Sequence, residues 1–215
     1  MEITKKARFI TPFYGGRAYL AGDKVVDNWL ISQHDRLLHP RYRELKDAVG
    51  NESKLEEILS VFNKNEKGDP IVGNWMFLEC SIDSQKLAGT WTQYKVSGDA
   101  WMNSVQFAPV HCNIFNGAKI TSPDFVEVHP TTVKRGKNKG NSFFKAYQAI
   151  NAGSEFEFTI MFPEDLCQKV EGKGADKIFT GDEKKTFACV EAVLDKMCLV
   201  GLGAYRRRFG KFEYI

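Results

Sequence analysis

The residues best suited to chemistry lie near the C-terminus, where Gly201, Leu202 and Gly203 are followed by Arg206, Arg207 and Arg208, then Gly210 and Lys211. Glycines let a phosphate backbone come close to a loop, and guanidinium groups give phosphate oxygens paired hydrogen bonds and charge. The same residues also suit a plainer role, a glycine helix cap followed by an edge strand guarded by charge. Lys134, Arg135, Lys137 and Lys139 form a second cluster in a loop that also holds Gly136 and Gly140. Such a loop is either a cationic finger that reaches along phosphates or an ordinary solvated hairpin loop. Phe143, Lys145 and Tyr147 alternate on a candidate strand, so they share a face that could stack bases or pack beneath another element.

Acid and base chemistry near neutrality would fall to His34, His39, His111 or His129, or to Tyr14 beside a cation. No spacing singles out one of them. His111 and Cys112 with Cys80 or Cys167 make a weak metal set, because no second spaced ligand pair accompanies them. No phosphate-binding Gly-x-x-x-x-Gly-Lys-Ser/Thr loop, Gly-x-Ser-x-Gly elbow or His-Glu-x-x-His helix occurs. We therefore expect no metal and no cofactor. Trp75, Trp91 and Trp101 with Tyr94 give the central region an aromatic density that suits either a partner surface or core packing.

The elements that must position these residues come from a chain of 215 residues, 43% hydrophobic, long enough for one elaborated domain. Thirty Lys and Arg against 27 Asp and Glu leave a net charge of +3, so a nucleic-acid surface would have to arise from clustering. The beginning of the sequence is polar and no long apolar run occurs, so a soluble, cytoplasmic protein is expected, with no membrane contact. Five scattered cysteines, with no Cys-x-x-Cys pair, read as reduced packing residues.

An opening strand is expected over 6–10, stopped by Pro12 and by Gly15 and Gly16. Helical spacing runs from Asp27 to Lys64, broken at His39 and Pro40. Residues 75–80 read as a buried strand, and 27–124 as a mixed insertion after the first strand. Phe156, Phe158, Ile160 and Phe162 alternate with more polar residues, the pattern of a strand with one face on the core. Residues 142–150 precede it, and Asn151 to Ser154 suit a hairpin turn between the two, with 125–133 as a third strand beside them. Thr180 and Glu183 have capping-box spacing ahead of a helix whose apolar face is Phe187, Val190, Val193, Leu194 and Met197. The helix ends at Gly201, and a last strand is expected from Ala204 to Tyr214, with Arg206 and Arg208 on one face, Arg207 on the other, and a kink at Gly210.

The stretch from Gly201 to Phe212 resembles the C-terminal glycine-rich signature of the RAMP superfamily, the repeat-associated proteins of CRISPR effector complexes. The segment from Phe144 to Phe162, and the opening from Ile10 to Gly16, are similar to the same pattern. The resemblance implies an α+β fold with a ferredoxin-like or RNA-recognition-motif-like antiparallel sheet packed by helices. It implies RNA as the ligand, bound by a non-catalytic subunit of a multi-protein assembly. Two alternatives stay open. One is a metal-independent endoribonuclease that leaves a 2′,3′-cyclic phosphate. The other is a phage-encoded interaction protein that acts on a defence complex through the 27–124 insertion, which lacks the Gly-Ser-Ser-Leu-Lys-Gly type of segment many members carry. Gly201, Gly203, Arg206, Arg207, Arg208 and Lys211 would bind nucleic acid, with Lys134, Arg135, Lys137 and Lys139 as a second contact.

Overall fold

A computed structural model describes residues 1–20, 23–132, 140, 142–172, 177–204, 206 and 208–215. The chain is a mixed α+β protein. It begins with β1 (Glu2–Phe9), β2 (Phe13–Tyr14) and β3 (Arg17–Ala18). Short helices follow: α1 (Lys24–Ser32), α2 (His34–Leu37), a 3-10 turn at Pro40–Tyr42, α3 (Arg43–Ala48) and α4 (Glu52–Ile58). Next come β4 (Leu59–Val61), β5 (Ile71–Gly73), α5 (Asn74–Ala88), α6 (Thr90–Tyr94) and α7 (Gly98–Ser104). Short strands β6 (Gln106–Ala108), β7 (His111–Asn113), β8 (Phe115–Asn116) and β9 (Ala118–Lys119) lead to the long β10 (Phe125–Thr132), β11 (Ser142–Ile150) and β12 (Glu155–Met161). The chain closes with β13 (Gln168–Glu171), β14 (Ile178–Gly181), α8 (Glu183–Val200) and β15 (Phe212–Tyr214).

The first sheet is antiparallel. Strand β1 lies between β15 and β12, pairing Ala7 with Tyr214 on one side and with Phe156 on the other. The far edge of β12 takes β6 at one end and β8 at the other. The alternation in β12 has the expected result: Phe156, Phe158 and Ile160 are buried, with Phe162 just beyond. They pack with α5 and α8 in the main core, which also holds Phe9, Phe77, Trp101, Val193 and Met197. Each such aromatic or aliphatic side chain contributes about 1.5–3 kcal/mol of burial. The other face of this sheet is wet, and there Glu155 is held between Lys6 and Arg8 at 2.7 Å each.

The second sheet has the order β10-β11-β4-β3, with β2 also against β11 and β4 parallel to it. Helices α1, α3 and α4 cover one of its faces through Val26, Leu30, Leu45 and Leu55 against Val126, Val128 and Ala146. Within 27–124, then, the part up to β4 belongs to the second sheet, and the part from β5 to β8 packs on the first.

Several expectations are corrected. Residues 75–80 are helical, because Met76, Phe77, Cys80, Ser81, Ser84 and Ala88 form one buried stripe at helical spacing; small serines hide that stripe in the sequence. Leu59 to Val61 leaves its helix to pair with Ala146 and Tyr147, a tertiary contact that overrides local spacing. Strands β11 and β12 do not form a hairpin. Asn151 donates to the Asp124 carboxylate at 2.7 Å, Gly153 donates to the Phe9 carbonyl at 2.7 Å, and Phe9 donates to the Ser154 carbonyl at 2.8 Å. The link thereby crosses to the other sheet, where β1 takes the place beside β12. The cap of α8 is Asp182, which accepts from the Lys185 amide at 3.1 Å, while the Thr180 hydroxyl is buried. The last strand starts at Phe212; among the described residues before it, Arg206 and Arg208 lie in turns.

Candidate nucleic-acid interface

The loop between α8 and β15 is fixed by its own backbone. Gly201 donates to the Met197 carbonyl at 2.9 Å and ends the helix; Leu202 then donates to the Gly210 carbonyl at 2.9 Å, and Gly210 donates to the Pro12 carbonyl at 2.8 Å. Ala204 donates to the Tyr14 carbonyl at 3.1 Å, which ties the loop to β2 and so to the second sheet. The glycines are required for this closure. A Cβ on Gly201, where φ is +81°, would lie 2.8 Å from the carbonyl oxygens of Arg206 and Phe209. At Gly203, where φ is +76°, it would run into the Tyr14 carbonyl and the Phe13 ring, and at Gly210 into the Leu202 carbonyl. The space that glycine leaves is thus filled by the protein itself. Gly210 does not kink a strand as expected: β15 begins only at Phe212, and the positive φ of 65° at Gly210 belongs to the preceding loop.

This loop lays Phe209 on the face of the second sheet opposite its helices, where it covers Tyr14 and Tyr147. There the rings of Tyr14 and Phe209 are 4.6 Å apart, Tyr14 and Tyr147 6.1 Å, and His129 and Phe209 5.3 Å. His129 Nε2 is 3.2 Å from the Tyr14 hydroxyl. Strand pairing explains the convergence. Glu127 lies opposite Tyr147, His129 opposite Lys145, and Thr131 opposite Phe143, so alternate residues of both strands share this face. Phe143, Lys145 and Tyr147 do share a face; Tyr147 is buried under Tyr14, and Phe143 and Lys145 are half-buried.

Cations ring the cluster. Lys145 lies 5.9 Å above the Tyr147 ring, and Arg36 lies 4.2 Å above the Phe125 ring. Arg36 and Arg41 both pair with Glu127. Arg208 is exposed, and its charge reaches His129. Burial, and then Arg41 and Arg208, lower the His129 pKa against the pull of Glu127, which keeps the imidazole neutral at pH 7. Burial also lowers the Lys145 pKa and raises that of the Tyr14 phenol.

The cationic residues expected from sequence fall in different places. Arg206 is held by α5, with nitrogens 3.0 Å from Glu79 and 2.7 Å from Asp83. It borders a cleft of about 360 Å³ shared with Arg17, Trp75 and Gly203. Lys211 donates to the Val200 carbonyl at 3.1 Å and serves as a side-chain cap for α8. Arg206 and Arg208 lie in turns, so strand alternation does not apply to them. Arg207, Lys134, Arg135, Lys137 and Lys139 lie outside the described residues. Arg36, Arg41 and Glu127 carried no sequence signal, since only pairing across β10 brings them to the site. For Tyr14 and Phe209 there was a local hint: each is an aromatic beside the glycines or arginines already singled out.

All five cysteines are free, and all but Cys198 are fully buried. Among the described residues no group of His, Cys, Asp and Glu could hold a metal ion, and no helix is long and apolar enough to cross a membrane. No protein-family model matches the chain, and no curated protein is significantly similar to it.

Proposed function

We propose that this chain is a non-catalytic RNA- or single-strand-binding protein of RAMP type that works in the cytoplasm within a multi-protein assembly. The observation that carries the reading is the face of the second sheet opposite its helices, where the half-buried rings of His129 and Phe209 lie over the buried Tyr14 and Tyr147, beside Lys145 and the exposed Arg208 and next to the glycine loop. Aromatic faces accept stacked bases and guanidinium groups accept phosphates, so one surface offers both contacts a single strand needs. The strand order β15-β1-β12-β6, antiparallel throughout, supports a ferredoxin-like reading of the first sheet. So does the chain order of strand, helix α5, two strands, helix α8 and strand. Gly201 and Gly203 act in this reading by seating Phe209 and Arg208, and Lys134, Arg135, Lys137 and Lys139, between β10 and β11 in sequence, would add phosphate contacts.

The test is fluorescence anisotropy with single-stranded and duplex RNA and DNA over a range of salt. Single-stranded RNA should bind tightest, and each cation that displaces a counterion should add roughly 0.7 to the log–log salt slope. Replacing Arg206, Arg207 and Arg208 together by alanine should weaken binding while the chain stays folded. Unchanged affinity in that folded variant would overturn the reading.

A second reading, a metal-independent endoribonuclease, rests on the 3.2 Å contact between His129 Nε2 and the Tyr14 hydroxyl with Lys145 across the strand pair. A neutral imidazole and a protonated phenol are the forms a general base and a general acid need.

A further inference from the structure

Helix α5 closes at Gly89, where φ is +62°, and α6 starts from that residue. The abrupt turn leaves a cavity of about 360 Å³ between the last turn of α5, helix α6 and the start of α7. That volume falls in the range of small-molecule sites, roughly 300–1,000 Å³.

Three side chains give the cavity a chemical character. Trp91 lines it and is 63% exposed, an aromatic ring left largely uncovered. Gln85 also lines it and is only 5% exposed, yet its buried Nε2 has no hydrogen-bond partner among the described residues. A buried amide that donates to nothing is rare in folded proteins and points to a missing acceptor. Lys86 adds a cation at the rim, and no carboxylate lines the cavity. The floor is apolar: Val96 is buried, and the Thr90 hydroxyl is turned away to donate to the Val96 carbonyl at 3.4 Å.

We propose that this cavity binds a single nucleotide, with its base stacked on Trp91, an acceptor on the base edge taking the Gln85 N–H, and its phosphate beside Lys86. A flat ring, an edge acceptor and a nearby anion are the three features the site lacks, and a nucleotide carries all of them. The nucleotide is either free or part of a strand. The strand form rests on the RNA-binding reading, and the surface gives it a route. Lys86 also borders an adjoining cavity of about 410 Å³ lined by Asp83, Arg206 and Lys211, which leads from the glycine loop along α5.

Calorimetric titration of the full chain with AMP, CMP, GMP and UMP, and with oligo(A) and oligo(U), tests the site. Trp91→Ala is a surface change and should weaken the bound ligand by roughly fivefold to a hundredfold. Gln85→Leu removes the orphan donor, so it should leave the unfolding midpoint unchanged or raised while flattening the preference among the four bases. Monophosphates that bind and respond to both substitutions support a free-nucleotide site. Oligonucleotides alone that bind and respond support a strand site. If neither Trp91→Ala nor Gln85→Leu alters binding of any of these probes, the proposal is overturned. Such a result combined with RNA binding that still fails on loss of Arg206 to Arg208 removes this pocket and leaves the sheet-face reading standing. Monophosphate binding that responds while no RNA binds does the reverse.

Discussion

Replacing Gly203 by alanine separates two explanations for the glycine loop. If glycine is there so that a bound phosphate can approach, alanine should cost affinity and little stability. The geometry says otherwise, because the added Cβ meets the Tyr14 carbonyl and the Phe13 ring while φ is +76°. Holding an L-residue in the left-handed region costs about 1–2 kcal/mol. Forcing a methyl into filled space costs about 1–3 kcal/mol more. Gly117 is the control: its φ is +70°, but nothing lies within 4 Å of where its Cβ would be, so Gly117→Ala should bear the first cost alone. The excess for Gly203→Ala, about 1–3 kcal/mol, corresponds to a further drop of roughly 2–12 °C in unfolding midpoint for a chain of this size. Differential scanning fluorimetry of the two variants, with chemical denaturation to confirm the free energies, gives the comparison. Equal midpoints would refute the packing of this loop on β2, and with it the account of how Phe209 and Arg208 are positioned.

Two further perturbations test the interior. The Thr186 hydroxyl accepts from the Cys167 amide at 2.9 Å and donates to the Glu164 carbonyl at 3.1 Å. Thr186→Val keeps the shape and strands both partners, so urea denaturation should show a loss of about 1–3 kcal/mol or more. His129 has a folded pKa below its unfolded value of about 6.5, so the unfolded chain binds the extra proton between those two values. Stability should therefore fall as the pH drops below about 6.5 toward the folded pKa. His129→Gln should flatten that part of a profile of unfolding midpoint against pH, and an unchanged slope would place the acid sensitivity elsewhere.

The parts of this fold that can be read from sequence are those where one face alone decides burial. Phe156, Phe158 and Ile160 alternate because β12 has one dry side, and Val190, Val193, Leu194 and Met197 recur because α8 has one dry stripe. Residues 75–80, the first part of α5, look like a strand in sequence because their buried stripe continues through Ser81, Ser84 and Gln85, which carry no apolar signal. The pairing of β11 depends on Leu59 and Tyr14, which are far away in sequence, and no local rule supplies such partners. The candidate site divides in the same way. Glycines and arginines at 201–211 are visible as types, but their roles depend on Glu79, Asp83 and Tyr14, which only the folded chain brings to them. The Tyr14, His129 and Tyr147 cluster comes from cross-strand register, and a sequence without partners in view gives no register.

The burial of the same cluster weighs against the nuclease reading. Cleavage by His129 requires an imidazole nitrogen within hydrogen-bond reach of a 2′-hydroxyl. Nε2 is already engaged by the Tyr14 hydroxyl, and Tyr14 is only 2% exposed, closed in by Phe209 and Tyr147. A substrate would have to displace a ring seated on three neighbours to reach that atom. Its burial raises the phenol pKa, so Tyr14 cannot serve as a phenolate base at neutral pH. The expected outcome is that structured and single-stranded RNAs remain intact after incubation with the protein in chelator. His129→Ala should then lower RNA affinity modestly through lost stacking and leave no cleavage to abolish. Fragments ending in 2′,3′-cyclic phosphate that vanish in His129→Ala would reverse this conclusion and make the Tyr14–His129 contact the resting state of an active centre.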